Sequence, residues 1–404
     1  MGRKKNNFPF DDGVFFILNL IERYGHKVRV VGGAVRDFIA HREISDVDIA
    51  TTARPEEIID ICVREGLPAL PTSPEHGSIS IGLRHKFYEI TTLRKDVKTF
   101  GRRAEVTFSQ SFKTDSRRRD FTINAIYMDK EGRIYDYHSG IEDIRAGNIR
   151  FIGSAENRTS EDYLRILRYF RFTAAYGNYR CNPEYLNIIA KLKSNIKILS
   201  SERIITELLK IFKISDSYKI IPPMWEVLNE LFSLKFNSLS ICAELDIFES
   251  LSDLEKLAML LKFSEMTDLV NMYNFPRSVR EMILLQPVDY AHVFLKLKQM
   301  KKEYRVFYAK FFVVNLCFRT HYSKANAKNL LQELLEFCHS EYANFKFNPN
   351  ELKTYDLTNE EFSSLMKATK NFWLNNNVSH CECKEFARKY IDENCKKLFD
   401  SSSE

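Results

Sequence analysis

Val30-Val31-Gly32-Gly33-Ala34-Val35-Arg36-Asp37, followed closely by Ser45-Asp46-Val47-Asp48-Ile49-Ala50, is the stretch on which the fold turns. The first segment reads as an apolar strand that runs into a Gly-Gly turn and opens a helix. Glycine lacks a Cβ, so the backbone there can come close to another group. A helix N-terminus also offers unbonded N–H donors to anions. Arg36, on the first helical turn, adds a fork of donors suited to phosphate. The second segment reads as a strand, Ile44 to Thr51, whose alternation puts Asp46 and Asp48 on the same side.

Two neighbouring carboxylates without a counter-charge are costly unless a cation sits between them. Magnesium prefers carboxylate oxygens together with substrate phosphates. Either half alone reads as an ordinary βα turn or an exposed strand. Together in one strand–helix–strand unit, they point to metal-dependent nucleotidyl transfer. Asp46 and Asp48 are then the catalytic metal ligands, and Gly32, Gly33 and Arg36 meet the nucleotide.

The 404 residues leave room for several domains and a sizeable core. With 44% apolar and 28% charged residues, composition is ordinary for a soluble protein. A net charge of +6 permits an acidic partner such as RNA. The 8 cysteines are scattered, and the sequence contains no signal peptide or long uncharged apolar run. Reduced thiols, no membrane and a cytoplasmic, bacterial-like location are therefore expected, with an organelle as the alternative. The basic start Met1-Gly2-Arg3-Lys4-Lys5 is too short for a targeting peptide. His380-Cys381-Glu382-Cys383, with Cys395 downstream, lacks a matching second pair and reads as coincidence rather than a metal site.

Along the chain, Asp12 to Tyr24 has helical apolar spacing, and Pro55 to Arg64 is a helix with proline in its first turn. Ile79 to Leu83 and Phe87 to Leu93 alternate like antiparallel strands joined near Arg84-His85. From Arg94 the pattern turns polar and reads as a mobile loop through Gly101-Arg102-Arg103. That loop either approaches phosphates or is simply solvated. Arg117-Arg118-Arg119-Asp120 then enters an apolar strand; Arg119 suits a ribose hydroxyl or phosphate, with Asp120 orienting it. Asp136 to Ile144 reads as structural closure of this first domain.

From Ser160 onward the chain reads as helical. Ser160 caps a helix through Phe172, with acids in its first turn. Asp162, Arg165, Arg168 and Arg171, three apart, form a winding polar ridge. Such a ridge can read bases. Cytosine and adenine each present an amino donor beside a ring-nitrogen acceptor, which suits a carboxylate and a guanidinium. Uracil and guanine mismatch both positions, and each unpaired buried polar group costs about 1–3 kcal/mol. Leu199 to Ile211 is a further amphipathic helix, and Pro222-Pro223 marks a break. Helices follow at 224–233, 254–263, 277–285, 291–300, 304–318, 325–338 and 383–398. Lysines at 296, 298, 301 and 302 read chiefly as a solvated face.

Gly-Gly-x-x-Arg-Asp, Asp-x-Asp, Arg-Arg-Asp-Phe-Thr-x-Asn-Ala, Asp-x-x-x-Gly-x-x-Asp-Ile and Glu-Asp-x-x-Arg-x-x-Arg occur in this order. The set resembles class II tRNA nucleotidyltransferases, the CCA-adding enzymes and their poly(A) polymerase relatives, over roughly residues 28–212. The resemblance implies an α+β fold: a small mixed-sheet nucleotidyltransferase head (1–150), then an all-helical neck (151–215), body (216–325) and tail (326–404). It implies magnesium on Asp46 and Asp48, Gly33 and Arg36 at the triphosphate, and Arg119 at the sugar. Asp162 and Arg165 become a protein template for the base, Arg168 and Arg171 lie on phosphates, and body and tail grip tRNA. The family's loop before the arginine cluster usually carries an acid before its Gly-Arg and is linked to the switch from C to A addition. Here that place is Phe100. No His is followed by Asp, so the phosphohydrolase motif of some relatives is not expected.

The expected activity is template-independent, two-metal addition of CMP and AMP to the 3′ end of tRNA from CTP and ATP. The alternatives are CC-only, A-only or poly(A) addition by the same chemistry. A reading of another class is a non-catalytic RNA-binding protein with a relic head.

Overall fold

The structure, a computed structural model, describes residues 8–73, 77–100, 103–234, 247–266, 268–286, 288, 292–320, 324–340, 343–345, 358–376, 378 and 380–394. Met1 to Lys5, the Gly101-Arg102 step of the polar segment and Cys395 lie outside them. The chain divides into two compact units, Met1–Leu231 and Phe232–Glu404.

In the first unit a seven-stranded sheet has the order β3-β4-β5-β2-β1-β8-β9. Its strands are β1 (Val28–Val31), β2 (Asp48–Thr51), β3 (Ala69–Ser73), β4 (Ser78–Leu83), β5 (Lys86–Thr92), β8 (Ile126–Met128) and β9 (Ile134–Asp136). Only β2 and β5 run parallel; the other neighbours are antiparallel. Alternation sorts side chains between two faces. Val28, Val30, Ile49, Ile79, Ile81 and Ile90 pack under α1 (Asp12–Arg23), α2 (Gly33–Ile39) and α3 (Pro55–Arg64), through Ile17, Ile21, Val35, Ile58 and others. Each such buried aliphatic contributes about 1.5–3 kcal/mol. The opposite face carries a smaller cluster of Val31, Ala50, Leu93, Phe112 and Tyr127. Asp48 is two positions before Ala50 and projects from this second face.

The β4–β5 hairpin turns through Arg84 and His85 at φ +49° and +66°, the left-handed pair that a two-residue hairpin requires. The polar segment after Arg94 is no loop. It forms an antiparallel hairpin of β6 (Arg94–Phe100) and β7 (Arg103–Phe108). The arginine cluster also departs from expectation. Arg117 ends α4 (Phe112–Arg117), and Thr122–Asn124 is a 3₁₀ turn rather than a strand. Asp136 accepts from the amides of His138, Gly140 and Ile141, which closes the turn into α5 (Gly140–Ala146).

Five further helices complete the unit: α6 (Ala155–Glu161), α7 (Leu164–Tyr176), α8 (Pro183–Leu192), α9 (Ser201–Phe212) and α10 (Ile221–Phe232). Pro222 and Pro223 stand in the first turn of α10, where their missing N–H groups cost nothing. The expected single helix from Ser160 is two helices. Asp162 lies between them in extended conformation (φ −155°), and its Oδ1 accepts the Leu164 amide at 3.2 Å. A short carboxylate that bonds a nearby backbone N–H competes with helix continuation.

The second unit is helical among its described residues, with helices Asp253–Leu261, Leu269–Met272, Arg277–Leu284, Val293–Gln299, Lys302–Thr320, Lys324–His339, Asn359–Asn375 and His380–Asn394. The Asn359–Asn375 helix was not anticipated. Lys298, 6% exposed, donates to the carbonyls of Trp373 and Asn376 at its C-terminal end. Cys383 is buried beside Trp373 and Val378 while Cys381 is exposed, so the two thiols face different surroundings. Among the described residues no three His, Cys, Asp or Glu groups converge as a metal cage, and no helix is long and apolar enough to cross a membrane.

Candidate active site

The glycine turn is built as its residues dictate. Gly32 adopts φ +76°, and a Cβ there would lie 3.4 Å from Nη1 of Arg119. Its amide pairs with Ile126 in β8, and no side chain caps the start of α2. The turn therefore lies directly against Arg119.

Only Asp48 of the carboxylate pair belongs to β2. Its pairing partner Val31 is the last residue of β1, so no strand remains for Asp46 to pair with, and Asp46 lies in the irregular segment before it. The two nevertheless share one field. Crowding by surrounding chain raises the pKa of Asp48, the Arg119 guanidinium opposes this, and the Glu89 and Asp46 charges raise it further. Glu89 precedes Ile90, the parallel partner of Ile49, so it neighbours Asp48 across the sheet. Glu89 and Asp46 thus both act on the Asp48 carboxylate. Asp48, Glu89, Thr91, Arg94, Arg118 and Arg119 line a cavity of about 290 Å³.

Arg119 is fixed by a residue that sequence reasoning missed. Asp115, 1% exposed, accepts from Arg118 Nε (2.8 Å), Tyr127 Oη (2.8 Å) and Arg119 Nε and Nη2 (3.4 Å each). Burial opposes its charge, but Arg118 and Arg119 prevail and hold its pKa at about 2. Burial likewise opposes the Arg119 charge, yet Tyr127 and Asp115 hold it protonated. Asp115 stands three and four places before these arginines, a spacing that was readable.

Asp120 does not orient Arg119, as expected from sequence; it turns the other way. Its Oδ2 takes Arg168 of α7 at 2.6 Å, and its Oδ1 accepts from the Phe121 amide and from Asn124. Burial opposes ionisation, but Arg168 and these bonds bring its pKa to about 2. Consecutive residues therefore link the carboxylate cavity to the helix of the polar ridge. Arg36 makes a second link. It is 8% exposed, bonds both oxygens of Asp37 at 3.0 Å and Asn124 Oδ1 at 2.6 Å, and lies over the rings of Phe172 and Tyr176. These bonds engage three of its five N–H donors.

The ridge residues are each held from outside the ridge. Asp162 Oδ2 pairs with Arg203 at 2.8 Å. Arg165 Nη1 donates to Glu161 at 2.6 Å and to the Arg158 carbonyl at 2.7 Å. Arg171 pairs with the buried Glu207. Burial disfavours the charge of Arg168, but Asp120, Glu207 and Asp162 raise its pKa.

These features can be set beside known proteins. The poly A polymerase head domain matches residues 28–150. Residues 178–228 match the probable RNA and SrmB-binding site of polymerase A. Over 207 residues the chain is 41% identical to the mitochondrial CCA tRNA nucleotidyltransferase 1 of Danio rerio, covering 50% of this chain and 47% of that protein. Over 213 residues it is 39% identical to the CCA-adding enzyme of Staphylococcus epidermidis, covering 52% of each. The chain thus spans about half the length of the curated relatives it matches. The crystal structure of the Bacillus stearothermophilus CCA-adding enzyme in complex with CTP superposes with a TM-score of 0.64 at 24% identity, covering 94% of this chain and 98% of that one. The Thermotoga maritima CCA-adding enzyme complexed with tRNA-CCA gives 0.64 at 16% identity, covering 95% and 96%. The α+β fold and the family resemblance read from the motifs are borne out, and enzymes of this family use a divalent metal.

Proposed function

We propose that this chain is a template-independent tRNA nucleotidyltransferase that adds CMP and AMP to the 3′ end of tRNA from CTP and ATP. One observation carries the reading: Asp48 and Glu89 share a cavity with Arg119, the Asp46 charge acts on Asp48 from the segment before β2, and Asp120, next after Arg119, ties that cavity to the ridge helix. A relic head would have no reason to retain three carboxylates in mutual repulsion. The names of the relatives support the same reading, as do the structures of similar proteins with CTP and tRNA. In this reading the division into head (1–150), neck (151–215), body (216–325) and tail (326–404) is kept.

The donor set fits a hard divalent cation. It offers only carboxylate oxygens, the Asp48 pKa is raised by burial first and then by the Glu89 and Asp46 charges, both of which a cation would offset, and a partial shell leaves positions for phosphates. We assign magnesium, held by Asp46 and Asp48 with Glu89 beside them; when bound, it supplies positive charge for phosphate oxygens and the attacking hydroxyl. Arg119, kept protonated and aimed at the glycine turn, donates to the sugar or phosphate. Gly32 and Gly33 let the triphosphate approach the backbone, with the remaining donors of Arg36 beside it. Asp162 accepts the amino hydrogen of cytosine or adenine, and Arg165 donates to the ring nitrogen. Arg168 and Arg171 face phosphates. The primer 3′-oxygen bonds to the α-phosphorus as the bond to the departing pyrophosphate breaks. The expected compartment is bacterial-like cytoplasm; similar proteins include bacterial enzymes and others named mitochondrial.

The test is product length. With tRNA lacking its last three nucleotides, CTP and ATP, three additions are expected, and Asp48→Ala should abolish them while tRNA binding persists. Two additions, one, or a long tail on oligo(A) would replace full CCA addition by the corresponding variant. RNA binding with no incorporation would overturn the enzymatic reading.

A further inference from the structure

The Arg165 amide donates to the Asp162 carbonyl at 3.0 Å, so the two residues share one turn, and an ion pair between their side chains would cancel the donor and acceptor that a base requires. Instead each is held from elsewhere. Arg165 is taken by Glu161 and the Arg158 carbonyl. Asp162 has one oxygen on the Leu164 amide and the other on Arg203, across 41 positions of chain. Arg203 belongs to α9. One turn further along that helix, Glu207 holds Arg171, the other end of the ridge. A single helix therefore grips both ends of the ridge with side chains of opposite charge.

We propose that Arg203 is a positioning residue for base selection: it keeps the Asp162 carboxylate apart from Arg165 and turned toward the incoming base. The inference rests on Asp162 as a base reader. Its physical content is orientation. With the Leu164 amide on Oδ1 and Arg203 on Oδ2, the carboxylate plane is fixed, and each oxygen keeps one lone pair for an amino hydrogen. Without Arg203 the carboxylate is free to rotate onto Arg165, and the template then pairs with itself. Uracil, which mismatches both groups, loses nothing by that collapse, whereas cytosine loses two bonds.

The experiment compares incorporation of CMP and UMP onto tRNA lacking its 3′ nucleotides, using full-length Arg203→Met, Arg203→Gln, Arg203→Lys, Asp162→Asn and the double variant Arg203→Met/Asp162→Asn. The ratio of kcat/KM for CTP over UTP should fall roughly tenfold or more in Arg203→Met, chiefly through KM for CTP. Arg203→Lys should recover part of it, and the double variant should be no worse than Asp162→Asn. A thermal melt identifies any variant that fails to fold, and Arg203→Gln then serves in place of Arg203→Met. If Asp162→Asn flattens the ratio and neither Arg203 variant does, the positioning role is wrong and the base reader stands. An additive double variant also overturns it, because Arg203 would then act independently of Asp162. If Asp162→Asn itself leaves the ratio unchanged, the base-reader assignment fails and this inference falls with it.

Discussion

Replacing Asp120 with asparagine isolates the joint between the carboxylate cavity and the ridge helix. Asn keeps the shape and an oxygen for the Phe121 amide but removes the charge facing Arg168. A carboxyl held at about 2 in the folded chain, against an ordinary 3.8, is worth roughly 2–3 kcal/mol at neutral pH. Arg168 keeps a side-chain exposure of 30%, so water shares its charge in the variant and the loss should stay below the 3–5 kcal/mol typical of a fully buried broken pair. The folded chain releases a proton that the unfolded chain still binds between these two values. The contribution is therefore complete above about pH 5, roughly half remains at pH 3, and it vanishes below the folded value. The sequence has 2 tryptophans, Trp225 and Trp373, so in a Trp373→Phe background the fluorescence reports the first unit alone. Urea unfolding of that protein, with and without Asp120→Asn, should show a gap of roughly 2–3 kcal/mol at pH 7 that narrows by about half at pH 3. A gap under about 0.5 kcal/mol at pH 7, the size expected of an exposed pair, would refute the reasoning. A gap that stays constant down to pH 3 would do the same.

Gly32→Ala forces a Cβ onto φ +76° and against Arg119, so thermal melting should report a loss of about 1–2 kcal/mol. Glu89→Gln removes one of the negative charges that raise Asp48, so the Asp48 carboxyl, followed by carbon NMR, should titrate lower; no change would place Glu89 too far away to matter. Cys381 should react with a thiol reagent in the native state within seconds to minutes. Burial covers Cys383 and pushes its thiol pKa up, so it should react only on unfolding; equal rates would contradict the described packing.

Much of the first unit could be read from local pattern. The strand into the Gly-Gly turn, the β4–β5 pair around Arg84-His85 and the α9 helix all carry their period within a dozen residues. The misreadings arose where a distant partner decides. β2 starts at Asp48 rather than Ile44 because β1 ends at Val31 and offers nothing further to bond. The β6–β7 hairpin was hidden because charged residues along both arms masked the alternation. The partner of Asp162 at that break, Arg203, stands 41 places later. At the candidate site, the carboxylates and arginines were visible as types, but their pairing was not: Asp120 serves Arg168, and Asp115 serves Arg119. The Asn359–Asn375 helix was within reach, because Thr358 and Glu361 form a capping box that a sequence pattern records.

The boundary suggested by motif content, near residue 150, runs through a knot of rings. Phe121 packs on Phe151 at 4.6 Å and on Phe172 at 5.4 Å, and Phe151 stacks on Tyr169 at 5.9 Å and meets Tyr185 edge-on at 5.2 Å. A fragment truncated there would leave Phe121 without its ring partners, together with an Asp120 stripped of its cation. The shortest excised piece expected to stay folded and monodisperse ends instead near Leu231, where the first compact unit closes.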